Sequence, residues 1–230
     1  MSTTPEKTVL ITGANAGLGK EIARQLALRP EFARVYLACR NQERANTAKA
    51  DLEAATGRRI FAIVLMDVAD PVSVRTGLAS INGSVDALVM NAGVIGPQSM
   101  GLTADGVTTV FATSVLGHVI LLEGLLAEDR LGEVAVLAGS EAVRGVPKLR
   151  MKGPKFVSHT GDEFACVIDG CYFAETKKAD FNLAFGQAKY IGALWMGYLA
   201  RQYPDRRFIT VSPGNTTGTQ AASTSHCRCV

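Results

Sequence analysis

Charge of one sign is scarce in this chain: 24 Lys and Arg stand against 21 Asp and Glu over 230 residues, a formal net charge of +3. No cluster of basic residues could track a phosphate backbone, which excludes nucleic acid as the leading partner. Long apolar runs are lacking too. The longest candidates are broken by Gly, Ser, His or charged residues, so no transmembrane segment is expected. Metal-ligand spacing is missing among the five cysteines, Cys39, Cys166, Cys171, Cys227 and Cys229. Cys227 and Cys229 form only an isolated C-x-C, so no metal site is expected, and reduced thiols in the cytoplasm are the expectation. The N-terminus enters an apolar run almost at once and shows no pattern of a secretory leader. Internal repeats and low-complexity linkers are also absent.

What remains is an alternation of short apolar runs and amphipathic segments. Strands are expected at 8–12, 34–39, 60–66, 86–90, 133–138 and 207–211. Helices are expected at 18–28, 41–55, 71–79, within 104–127, and at 180–203. Pro71 suits a first helical turn, where its missing N–H is harmless. The rhythm predicts an α/β fold, a doubly wound parallel sheet in a single domain over residues 1–230. The 47% hydrophobic content is enough for one sizeable core. Two stretches break the pattern. Residues 141–179 form a long inserted connection without sustained periodicity, and connections of that length are often functional. Residues 220–230 read as an irregular tail.

The strongest chemical signal is Thr12-Gly13-Ala14-Asn15-Ala16-Gly17-Leu18-Gly19, lying between a strand and a helix. Gly13 permits a tight turn, Gly17 permits close approach to a pyrophosphate, and Gly19 permits close helix–sheet packing. The helix N-terminus then offers free N–H groups to phosphates. At the end of the second strand, Ala38-Cys39-Arg40-Asn41 has no carboxylate to hold an adenosine 2′-hydroxyl. An arginine there can clamp a 2′-phosphate instead, which points to NADP(H). Lys20 and Arg44 read as solvated helix charges.

In this order the segments resemble the short-chain dehydrogenase/reductase family over roughly residues 8–219. The resemblance rests on TGANAGLG, on Asp67-Val68 after the third strand, on Asn91-Ala92-Gly93 after the fourth, and on Ser140 ending the fifth. Lys189 and Pro213-Gly214 complete it. It implies that Gly13, Asn15, Gly17, Leu18, Gly19, Arg40, Asp67, Val68, Asn91, Ala92, Gly93, Lys189, Pro213 and Gly214 hold the cofactor. It also implies catalytic positions at Ser114, Ser140, residue 185 and Lys189. Two of these depart from the family. Ser114 stands where an asparagine bends its helix and holds a water. Phe185 stands where a tyrosine donates the proton, and a phenyl ring has none to give.

Ser140 and Phe185 are 45 positions apart. An insertion of this kind resembles those of monomeric carbonyl reductases and light-dependent protochlorophyllide reductases. It would cover a helix face that many members use for packing, so monomer or dimer is expected rather than tetramer. The expected activity is NADP(H)-dependent hydride transfer to a carbonyl or activated double bond of a small molecule, impaired at residue 185. The alternative is an inactive NADP(H)-binding protein. Three explanations of Phe185 stay open: lost chemistry; a working enzyme with an acid taken from Tyr172, His159 or Tyr190, or with a reaction that needs no protein acid there; or a tyrosine exchanged to trap a complex. Tyr190 lies about 100° round the helix from Lys189, which makes it a poor substitute.

Overall fold

The computed structural model describes residues 6–147, 151–158, 160–171 and 180–214. In chain order the strands are β1 (Lys7–Thr12), β2 (Phe32–Cys39), β3 (Phe61–Leu65), β4 (Val85–Met90), β5 (Leu131–Ala138), the short β6 (Gly145–Val146) and β7 (Met151–Lys152), and β8 (Arg207–Val211). The helices are α1 (Gly17–Ala27), α2 (Gln42–Thr56), α3 (Pro71–Ala79), α4 (Thr109–Ala127), α5 (Gly161–Ile168) and α6 (Phe181–Gln202). Six strands form one parallel sheet in the order β3-β2-β1-β4-β5-β8, while β6 and β7 make an antiparallel hairpin. The order reverses between β1 and β4. In a doubly wound sheet that reversal opens a crevice at the carboxyl ends of the strands.

Strand periodicity splits the core in two. Val9 and Ile11 of β1 face α1 and α2, packing with Ala23, Ala27, Ala45 and Leu52. Leu10, between them, faces the other way onto a cluster with Leu88, Leu121, Leu125, Met196 and Leu199 from β4, α4 and α6. Both faces of the central strands are covered, which is why these strands read as continuous apolar runs. Burying each of the fully enclosed leucines contributes about 1.5–3 kcal/mol. Coverage runs out at β8, where Ile209 and Val211 are 39% and 49% exposed.

Capping explains several helix starts. Asn41 Oδ1 accepts from Arg44 N at 2.9 Å, Asp70 Oδ1 accepts from Val72 N at 2.9 Å, and Asp180 Oδ1 accepts from Asn182 N and Leu183 N at 3.0 Å. Helix α4 corrects the expectation that no apolar stretch is long enough for a membrane: its 19 residues are long and apolar enough by composition. It is a core helix of the sheet, with Val110, Phe111, Leu121, Leu122 and Leu125 buried. Residues 112–116 within it form a wide π turn.

The inserted connection is more regular than its sequence suggests. Residues 141–143 make a 3₁₀ turn, β6 and β7 follow, and Thr160 caps α5 by accepting from Glu163 N. Phe156 stacks on Phe164 and on Tyr190 of α6, with ring centroids 5.0 and 5.1 Å apart. Cys166 and Cys171 are joined as a disulfide, which corrects the expectation of reduced thiols; Cys39 is a buried free thiol. Tyr172, His159, Cys227, Cys229 and the tail at 220–230 lie outside the described residues.

Candidate active site

The turn after β1 needs its glycines. Gly13 and Gly17 have φ of +66° and +54°, in the left-handed region that side chains disfavour. A Cβ on Gly19 would lie 2.5 Å from Gly13 O and 2.6 Å from Asn91 Nδ2, so only glycine lets α1 enter there. Ala16 precedes α1 with no side-chain cap and no acid follows in the first turn, leaving the helix N–H groups open. An uncapped N-terminus behind a glycine turn fits a bound pyrophosphate.

Thr12 ties this turn to the neighbouring loop. Its Oγ1 accepts from Asn91 N at 2.9 Å and from Ala92 N at 3.0 Å, and it lies 2.9 Å from His118 Nε2. Asn91 Nδ2 donates to Thr12 O at 3.0 Å. With both lone pairs used, the Thr12 hydroxyl donates to His118 Nε2. His118 Nδ1–H then donates to Ser114 O at 3.3 Å. The tautomer follows from this chain of bonds. Burial first, and the Lys189 charge second, hold His118 down to about 3, so the ring is neutral.

A cleft of about 630 Å³ runs across the carboxyl ends of the strands. Of the expected cofactor residues, Gly13, Asn15, Gly17 and Leu18 line it from the turn, Arg40 from the end of β2, and Asp67 and Val68 from beyond β3. Asn91, Ala92, Gly93, Lys189 and Pro213 line its other parts. Gly19 acts from behind through packing, and Gly214 (φ +72°) lies just past the lining. Arg44 is an exposed charge of α2, as expected, and it also lines the cleft, a role not expected of it; Lys20 is half-buried and paired with Asp51 at 2.6 Å. The position of Arg44, one helical turn after Arg40 at the start of α2, was the signal that could have found it.

At the far end, Phe185 and Lys189 line the cleft together, with Lys189 Nζ 5.4 Å from the Phe185 ring centroid. Lys189 Nζ donates to Ala138 O at 2.7 Å, and burial lowers its pKa to about 8. Ser140 is not in the lining, although Ala138 and Gly139 are; its Oγ accepts from Ala142 N at 3.1 Å and caps the 3₁₀ turn. Ser114 sits in the π turn, fully buried, with its Oγ unpartnered. Tyr190 is engaged by Phe156 and does not line the cleft.

Residues 7–148 match the short chain dehydrogenase family. The chain belongs to that family. A short-chain dehydrogenase/reductase of Armillaria gallica is 34% identical over 220 residues, covering 91% of this chain and 65% of the fungal protein. Human retinol dehydrogenase 11 is 37% identical over 144 residues, 58% of this chain and 44% of its own length. The chain thus spans less than half the length of that relative and just under two thirds of the fungal one. Among solved structures, a short chain dehydrogenase from Burkholderia cenocepacia in complex with NADP superposes with a TM-score of 0.64 at 27% identity, covering 95% of this chain and 77% of that one. The parallel six-stranded sheet flanked by helices is the fold of these dehydrogenases.

Proposed function

We propose that the chain is an NADP(H)-dependent oxidoreductase that transfers hydride to a carbonyl or activated double bond of a small molecule. One observation carries the cofactor: the open N-terminus of α1 behind the glycine turn, with Arg40 and Arg44 both lining the adenosine end of the cleft. The uncapped N–H groups suit the pyrophosphate, and two guanidinium groups at the start of α2 suit a 2′-phosphate. Asp67 lines the cleft farther on, past β3, in the place the family gives to the adenine amino group. The rest of the cleft lining mixes apolar Val94, Ile95 and Phe185 with Gln98, Thr109 and Thr113, which leaves room for a compound that is apolar around its carbonyl. The relatives named retinol dehydrogenases support a lipophilic substrate class.

A second reading, an NADP(H)-binding protein without reductase chemistry, is favoured by Phe185, because removing a general acid costs about a hundred- to ten-thousand-fold in rate. Titration of the purified chain with NADPH and with NADH, followed by NADPH consumption against ketones, aldehydes and conjugated enones, separates the two. Tight NADPH binding with no turnover on any substrate selects the second reading. Absence of nucleotide binding removes both.

A further inference from the structure

A lysine ammonium has three N–H donors. In Lys189 one of them goes to Ala138 O, and among the described residues no second acceptor and no carboxylate partner is present. The side chain is only 3% exposed, yet it lines the cleft beside Phe185. Its two remaining donors are therefore held in an enclosed, largely apolar place that opens toward the cleft. The other titratable groups lining the cleft, Cys39, Arg40, Arg44 and Asp67, follow β2 and β3. Lys189 is anchored on β5, and the sheet order puts three strand spacings, about 14 Å, between β5 and β2. At its own end Lys189 is the one titratable side chain among the lining residues described. The groups near it are His118 of α4, which is neutral, the Ala138 carbonyl of β5 and the Phe185 ring of its own helix, while the Ser114 hydroxyl borders the same Gly93 backbone as Lys189 Nζ.

Resting on the oxidoreductase reading, we propose that Lys189 is itself the proton donor of the reaction in this chain, in the role a phenol at position 185 would have filled. Bound NADPH would supply the hydride to the carbonyl carbon and leave as NADP⁺. The carbonyl π pair moves to oxygen, the Lys189 N–H bond breaks as the O–H bond forms, and the neutral amine regains a proton from solvent. Burial makes the ammonium more acidic than an exposed lysine while leaving it mostly protonated at neutral pH. The Phe185 ring, its centroid 5.4 Å from Nζ, stabilises the cation through its face.

The test has two arms. In the first, acetic anhydride labels amines of the intact chain between about pH 6 and 11.5, and peptide mass measures acetylation at Lys189 with and without NADP⁺. Labelling should rise with an apparent pKa near 8 and be suppressed by the nucleotide; a midpoint near the usual lysine value of about 10.4 overturns the proposal. In the second, NADPH consumption with aldehydes and ketones is followed between about pH 6 and 10. The rate should be flat below pH 8 and fall about tenfold per unit above it. Lys189→Arg, which stays protonated throughout, should lose at least about a hundredfold at pH 7 and show no alkaline limb. Turnover that is independent of pH and unchanged in Lys189→Arg overturns the donor while leaving the oxidoreductase reading intact. Turnover seen only in Phe185→Tyr has the same consequence. No turnover in any form, Phe185→Tyr included, overturns both. Should Lys189→Arg fail to fold, the labelling titration and the pH profile of the unsubstituted chain decide.

Discussion

At the end of the cleft built by β1, β2 and α1, recognition is made of backbone: two left-handed glycines, a third with no room for a Cβ, and a helix N-terminus left open. At the end built by β5, α4 and α6, it rests on single side chains, Ser114, Phe185 and Lys189. Backbone geometry is held by many residues at once and survives drift in any one of them. A catalytic proton belongs to one oxygen, and exchanging Tyr for Phe removes it while leaving the packing nearly unchanged. The two ends are nevertheless joined. His118 bonds Thr12 of the glycine turn through one ring nitrogen and Ser114 of the π turn through the other.

The largest effect is expected from breaking that strut with acid. Folded His118 stays neutral down to about 3, whereas an unfolded histidine titrates near 6.5. Between those values the unfolded state binds more protons. The stabilisation is therefore fully present above about pH 6.5 and is lost as pH falls toward 3, by an amount on the order of 5 kcal/mol. Urea midpoints of the chain and of His118→Gln at pH 7 and pH 4.5 should converge at the lower pH, because the variant lacks this titration. Parallel losses in both would mean the ring is already charged in the fold.

Phe185→Tyr sharpens the contrast from the other side. Restoring a phenol one helical turn before Lys189 should raise ketone reduction by roughly a hundredfold or more, while NADPH affinity changes little. An equal rate in the two forms, at saturating NADPH, would mean that Lys189 already delivers the proton as well as a phenol at 185 could. Gly19→Ala tests the backbone end in the same terms: the added methyl meets the Gly13 carbonyl, which cannot swing aside as a side chain can. A loss of about 1–3 kcal/mol in unfolding free energy, together with weakened NADPH binding, is expected. Unchanged melting would show that α1 can shift outward.

Much of this was legible from residue order. The strand at 207–211 and the helix at 71–79 have the expected bounds, and the other long elements begin and end within a few residues of theirs. Capping residues and prolines mark those boundaries through local bonds. The hairpin of β6 and β7 was not legible, because two-residue strands carry no period, and α5 is only eight residues long. Side-chain roles set by long-range packing were hidden too. Ser140 spends its hydroxyl on Ala142 N, and His118 gains its place from Thr12, 106 residues earlier in the chain. Neither partner follows from spacing.

The smallest predicted effect concerns the charge at the adenosine end. Arg40 is exposed at the end of β2 and Arg44 follows it one turn along, so the 2′-phosphate of NADPH would meet two cations in high dielectric. Each exposed contact is modest, and salt screens it over about 8 Å. Replacing Arg40 by aspartate does more than remove one contact, since it sets a carboxylate against a dianionic phosphate while offering an acceptor to a free 2′-hydroxyl. NADPH affinity should fall by more than tenfold, about 1.4 kcal/mol or more, and NADH affinity should hold or improve. Arg44→Ala should cost less, because Arg40 remains, and raising the salt concentration should shrink both losses. Equal weakening of the two nucleotides by Arg40→Asp would show that the guanidinium supports the β2–α2 turn rather than reading the phosphate.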